Sequence, residues 1–205
     1  LADLKNPFID ASLWQRFKKH FQYQKQRPLW LVGHSKGGNL AIYAACFCQT
    51  SIQKRIFQVD NFDGPGFHDE ILKSSAYRQM LPYIHSYIPH YSFFGIVLGH
   101  EENYTVVKSH ETGMMQHNAF SWQLQAHHFE VDELSYESVQ FAIKVILFLE
   151  KLSLEEKHQF VEAMFSLFDR LNIYNFSDLS HISYKHIMSA IKEITLLKPK
   201  TRNML

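Results

Sequence analysis

The chain has 205 residues, 46% of them hydrophobic and 20% charged, enough apolar material for one sizeable core with an appendage. This excludes a disordered chain, a collagen-like repeat and a disulfide scaffold. Lys and Arg number 21 against 20 for Asp and Glu, a formal charge of +1, so no general electrostatic pull toward nucleic acid or an anionic membrane is expected. Cys46 and Cys48 stand two apart in a segment that reads as helix, where they point to different faces and do not bridge, which suits a reducing compartment and a cytoplasmic location. The chain opens on Leu1 rather than Met, without the regions of a signal peptide, so a missing N-terminal segment is expected.

Residues 10–24 (DASLWQRFKKHFQYQ) place Leu13, Trp14, Phe17 and Phe21 at helical spacing and predict an amphipathic surface helix. A strand is predicted over 28–32 (PLWLV), a tight turn at Gly33, and a helix over 39–47 (NLAIYAACF). Further strands are predicted at 55–59 (RIFQV), closed by the turn-rich 61–66 (NFDGPG), at 83–88, stopping at Pro89, and at 103–107 (NYTVV). Strands alternating with helical or loop segments indicate an α/β fold of about four mainly parallel strands with flanking helices.

Beyond residue 135 the chain becomes helical. Residues 138–152 (SVQFAIKVILFLEKL) are strongly apolar, but Lys144 and Glu150 interrupt them and the run falls short of the roughly 20 residues that a membrane span needs. Ser153 followed by Glu156 is a capping-box signature for a helix to about Leu171, and a last helix is predicted over 183–197. The reading is one α/β domain over 1–134 and a helical appendage over 135–205 packed on the same core.

Gly33-His34-Ser35-Lys36-Gly37 is G-x-S-x-G between a predicted strand and a predicted helix, the context in which the motif holds a nucleophilic serine. Gly33 and Gly37 satisfy the demand for small residues where the strand turns sharply into the helix, and Gly38 permits close helix packing. The backbone N–H of Lys36, at the helix N-terminus, would face a developing oxyanion. The alternative is a glycine-rich turn whose serine only caps the helix.

A serine needs a histidine base, expected later in the chain with an acid between. Of the 13 histidines, His117, after the last strand, fits better than His85 or His90, with His110 and His100 as rivals. Asp63, just after the second strand at the carboxyl end of the sheet, is the candidate acid, and Asp60 is the neighbouring alternative. Asp63 could instead only organise the Gly-Pro turn.

The segment GHSKGGNLAIYAA resembles the nucleophile elbow of α/β-hydrolases, specifically of the fungal-type triacylglycerol lipases. With NFDGPGF, YIPHYSFFGIVLGH, VVKS and QHNAFSW following in order from about Pro28 to Trp122, the chain resembles an uncharacterised bacterial family related to those lipases. The resemblance implies the C-terminal half of an α/β-hydrolase sheet, with Ser35 as nucleophile and His117 as the late histidine; it supplies no substrate. Where the lipases carry their acid, this chain has Ser86-Tyr87-Ile88-Pro89, so either the acid has moved to Asp63 or the triad is incomplete. Glu101 and Glu102 fall beyond that loop and are poorer substitutes. The resemblance also implies a neighbouring strand from an upstream half. The edge at 28–32 is therefore expected to be covered by another copy of the chain, a rearranged segment or an upstream fragment.

No cofactor is expected. Neither His127-His128 with Glu130 nor His100 with Glu101 has the spacing of a metal site. Two readings follow: a serine hydrolase acting on a small ester or acyl substrate, and a catalytically degenerate hydrolase scaffold used for binding.

Overall fold

Four strands lie side by side in chain order, β1 (Leu29–His34), β2 (Ile56–Phe62), β3 (Ile84–Pro89) and β4 (Asn103–Val107), each parallel to its neighbour. The computed structural model describes residues 27–153 and 155–156. The helices predicted over 10–24 and 183–197, and nearly all of the one that starts after Ser153, lie outside the described residues. The chain divides into two compact units, Leu1–Ile143 and Lys144–Leu205.

The strand ends have local causes. Pro28 has no N–H to give, and the ladder opens instead with Leu29 N–H bonding the Arg55 carbonyl at 2.7 Å. β2 runs through Asn61 and Phe62, which the sequence places in a turn. Pairing on both sides, Asn61 with Gly33 and with Ser86, overrides their turn preference. β3 closes on Pro89 itself, at a strand end where a missing donor is tolerated. Among the described residues β1 pairs with β2 alone, and its Trp30 and Val32 are exposed.

Between β1 and β2 run α1 (Lys36–Phe47) and the single turn α2 (Thr50–Gln53); between β2 and β3 run α3 (Asp69–Leu72) and α4 (Ser75–Met80). Ile42, Tyr43 and Ala45 of α1 and Tyr77 of α4 join Ile56, Val59 and Ile84 of the sheet in one apolar cluster. β2 buries three successive residues, Val59, Asp60 and Asn61, as a strand covered on both faces must. On the opposite face Phe62 and Tyr87, paired in register, stack at 5.2 Å, and Phe129 meets both edge-on. Phe129 reaches them from a short hairpin, β5 (Leu124–Gln125) and β6 (His128–Phe129).

A longer helix, α5 (Tyr136–Glu150), starts where Ser135 Oγ accepts the Ser138 N–H at 3.1 Å. Among the described residues no helix is long and apolar enough to cross a membrane. In the second unit the predicted capping box is formed: Glu156 N–H reaches Ser153 Oγ at 3.3 Å, and Ser153 N–H reaches the Glu156 carboxylate at 2.9 Å. Cys46 is buried in α1, Cys48 follows that helix, and both are free thiols; burial holds Cys48 up at about 11.

Ile42 has no exposure to solvent, so Ile42→Ala should cost about 2–5 kcal/mol. Leu124→Ala, at an exposed hairpin position, should change stability by less than about 0.5 kcal/mol. Urea unfolding midpoints of the two variants measure the contrast.

Candidate active site

The four strands run the same way, so the connections leaving their carboxyl ends gather at one edge of the sheet, where open α/β folds bind ligands. Ser35 follows β1 there, Asp63 follows β2, the 90–102 connection follows β3, and His117 follows β4.

Ser35 has φ 56° and ψ −130°, a backbone conformation that costs a non-glycine residue on the order of 1–3 kcal/mol. The neighbouring chain holds it there: Ser35 N–H bonds the Phe62 carbonyl at 2.8 Å, and the Ser35 carbonyl accepts Gly38 N–H at 2.9 Å. Its side chain makes no capping hydrogen bond to α1, so a helix-capping role does not account for the serine. Lys36 is the first residue of α1, and its amide belongs to the N-terminal turn of that helix.

The two motif glycines differ. A Cβ on Gly33 would lie 2.1 Å from the Gly37 carbonyl oxygen, because α1 folds back across the strand end at that point. A Cβ on Gly37 would meet nothing within 4 Å among the described residues. The expectation that both must be small is therefore corrected to Gly33 alone: the helix presents the backbone oxygen of Gly37, not its Cα, to the strand. Gly38 is tight as expected, its added Cβ falling 1.9 Å from Asn61 Oδ1.

Asp63 also has positive φ, 50°, and its side chain has no exposure to solvent. Oδ2 accepts from His117 Nδ1 at 2.6 Å, while Oδ1 accepts from Ser92 Oγ at 2.5 Å and Gly95 N–H at 3.0 Å. The carboxylate thus faces the histidine rather than the Gly-Pro turn. That turn is organised by two buried asparagines. Asn61 Oδ1 accepts Gly64 N–H at 3.0 Å and its Nδ2 donates to the Gly64 carbonyl at 3.2 Å. From α1, Asn39 Nδ2 donates to the Pro65 and Gly66 carbonyls at 3.0 and 2.9 Å. The turn lies so close to the serine that a Cβ on Gly64 would sit 2.4 Å from the Ser35 carbonyl oxygen.

His117 ends a short 3-10 turn, Gly113–His117, and is buried. Its ring packs against those of Phe94 at 4.4 Å and His34 at 4.5 Å, and His34 Nε2 donates to the His117 carbonyl at 2.7 Å. A carboxylate oxygen accepts, so His117 directs its Nδ1–H at Asp63 Oδ2. Burial holds His34 below the ordinary histidine range, against the bond to the His117 carbonyl and the charge of Asp63, so the ring beside His117 is neutral at pH 7.

The alternatives lie elsewhere. Asp60 is on the other face of β2, bonded to Trp30 Nε1 at 2.7 Å and to Gln58. His85 bonds Thr105, His90 bonds the Glu133 carbonyl, and His100 bonds Glu102. Among the described residues no three His, Cys, Asp or Glu side chains are grouped as metal ligands would be. Sequence reasoning missed Ser92, Phe94 and Gly95, which hold or cover the Asp63–His117 pair. Gly95 was the available signal, a glycine inside the apolar run YSFFGIVLG; a Cβ there would sit 2.4 Å from Asp63 Oδ1.

Behind the acid turn lies a buried carboxylate, Glu102. It accepts from Tyr77 OH at 2.5 Å, Ser86 Oγ at 2.6 Å, His100 Nδ1 at 2.8 Å and Glu101 N–H at 3.2 Å. Burial would raise its pKa, but His100 beside it and the hydrogen bonds from Ser86 and Tyr77 together hold it at about 2.

A strained serine at a strand-to-helix turn and a buried histidine–aspartate pair thus lie on one edge of the parallel sheet of an α/β protein. The chain belongs to the Mbeg1-like family, a lipase-like family whose model matches residues 11–166. No curated protein and no solved structure matches the chain.

Gly33→Ala should destabilise the turn by more than about 2 kcal/mol through the backbone clash. Gly37→Ala should be neutral or stabilising by up to about 1 kcal/mol, since alanine favours helix over glycine; thermal unfolding of the two variants tests this. Glu102, lowered from 4.5 to about 2, contributes on the order of 3 kcal/mol. That contribution is complete above pH 4.5 and is lost as pH falls toward 2. The stability gap between the wild type and Glu102→Gln should therefore be constant from pH 7 to about 5 and narrow below it; a gap still constant at pH 3 would contradict this.

Proposed function

We propose that the protein is a serine hydrolase of esterase or lipase type, acting on a carboxylic ester. The reading is carried by one observation: the 2.6 Å contact between Asp63 Oδ2 and His117 Nδ1, at the same edge of the sheet as a serine whose backbone has the strained geometry of a nucleophile elbow. Order along the chain supports it, since serine, acid and histidine follow one another as in that fold. So does the resemblance to the fungal-type lipases, with the acid moved to the strand after the nucleophile.

In this reading Ser35 Oγ attacks the ester carbonyl carbon and its proton passes to His117 Nε2. Asp63 keeps the imidazole in the tautomer that makes Nε2 the base and stabilises the imidazolium that forms. The negative charge on the former carbonyl oxygen meets the Lys36 N–H at the start of α1, where the helix dipole adds to the attraction. Collapse of the tetrahedral adduct breaks the ester C–O bond, His117 returns the proton to the departing alkoxide, and an acyl-Ser35 remains. Water, activated by the same histidine, then releases the acid. The neutral His34 adds no second positive charge beside His117 when the imidazolium forms.

A fluorophosphonate probe should label Ser35 covalently in the intact protein, and Ser35→Ala should abolish labelling. Asp63→Asn should slow it by as much as about ten-thousand-fold, the loss expected when the base takes the wrong tautomer. Peptide mapping locates the adduct. A folded protein that stays unlabelled at Ser35 would favour the alternative, a degenerate hydrolase scaffold used for binding.

A further inference from the structure

We propose that Glu102 is a positioning residue for this site: its fixed acceptor character makes Ser86 an acceptor toward Asn61, which reinforces the amide orientation that holds the turn carrying Asp63. The proposal rests on the hydrolase reading only in calling that turn part of the active site; the hydrogen-bond polarity stands without it.

The polarity follows from counting protons. An ionised carboxylate donates nothing, so every group on Glu102 must give it a hydrogen. Ser86 has one hydroxyl proton, and it goes to Glu102 Oε1 at 2.6 Å. Toward its other neighbour, Asn61 at 3.0 Å, Ser86 can then only accept. Asn61 therefore turns its NH₂ to Ser86, the same orientation in which its Oδ1 accepts the Gly64 N–H and its NH₂ donates to the Gly64 carbonyl.

The reverse amide orientation would set NH₂ against N–H at Gly64 and oxygen against a lone pair at Ser86, so both contacts would become repulsive. Asn61, Ser86 and Glu102 are all buried, and Asn61 and Ser86 face each other in register across β2 and β3. Gly64 follows Asp63 directly, and its own space is closed by Asn61, Ser35 and Asn39. A wrongly turned Asn61 would therefore displace the turn next to the carboxylate that bonds His117.

Tyr77 and His100 keep Glu102 ionised without joining the relay. Burial and the nearby Glu102 charge raise the Tyr77 pKa, so the phenol keeps its proton and donates.

Glu102→Gln removes the Ser86 part of the constraint, because a glutamine amide can donate to Ser86 and free the hydroxyl proton to point against the Asn61 NH₂, which weakens the hold on Gly64. In this variant the Gly64 amide should exchange its hydrogen about tenfold faster, the factor expected from losing one buried hydrogen bond. The amide of Ala45, in the core of α1, should keep its wild-type rate. Fluorophosphonate labelling of Ser35 should slow by a similar factor, and ester turnover should fall in kcat with KM unchanged. Ser86→Ala, which deletes one hydroxyl and no charge, should do the same, and the double variant should be no worse than either single one. If Glu102→Gln fails to fold, Ser86→Ala carries the test.

Wild-type exchange at Gly64 in a folded variant would overturn the proposal. So would equal acceleration at Gly64 and Ala45, which marks general loosening, or additive losses in the double variant. Absence of labelling in the wild-type protein would overturn the hydrolase reading alone, since Gly64 exchange reports the relay whether or not Ser35 reacts.

Discussion

A carboxylate with no exposure to solvent loses several kcal/mol of hydration, which only well-placed donors offset. Asp63 has three: the His117 ring, the Ser92 hydroxyl and the Gly95 amide. They come from the connections after two different strands, 29 to 54 residues along the chain. Asp63 can be buried only when those connections are in place, and in turn it draws them together. Both its oxygens are committed, so the side chain has one orientation, which is the condition for fixing the histidine tautomer. The 2.6 Å bond between Asp63 and His117 is therefore the contact on which the rest of this edge of the sheet depends.

The backbone bears part of the cost of that arrangement. Ser35 and Asp63 both have positive φ, and both stand directly beyond the carboxyl end of a strand. Such geometry persists only where surrounding contacts over-determine it, and here the two turns support each other. Ser35 N–H bonds the last carbonyl of β2, Asp63 N–H bonds the Tyr87 carbonyl of β3, and Asn39 of α1 grips the acid turn. The register β1–β2–β3 thus sets the distance between Ser35 and Asp63 before any side chain is considered.

Much of this was legible in the sequence. The apolar runs ending at Val32, Val59, Ile88 and Val107 marked the strands, and glycine spacing with chain order singled out Ser35, Asp63 and His117 as the candidate site, because both are read directly along the chain. Asn39 and Asn61 were not legible, since an asparagine in a helix or beside a turn ordinarily faces solvent. Their use depends on a partner that only the folded chain supplies. Ser92 and Gly95 lay in YIPHYSFFGIVLGH, a segment that carried the family resemblance but gave neither residue a role. Gly37 shows the opposite error, a glycine given a steric role by its place in a pattern when the space around it among the described residues imposes none.

Glu102 stands immediately before β4, at the amino end of the sheet, whereas the serine, the acid and the histidine are all at or beyond the carboxyl end. In a parallel sheet one end commonly serves function and the other only has to connect, so its loops are free to lengthen, shorten and change composition. The relay through Ser86 and Asn61 withdraws that freedom from one connection. In that relay the residue entering β4 acts as an acceptor that never donates, a part played by a carboxylate and by no amide. A chain engineered or drifting at that end could keep every strand and lose the alignment of groups it never approached.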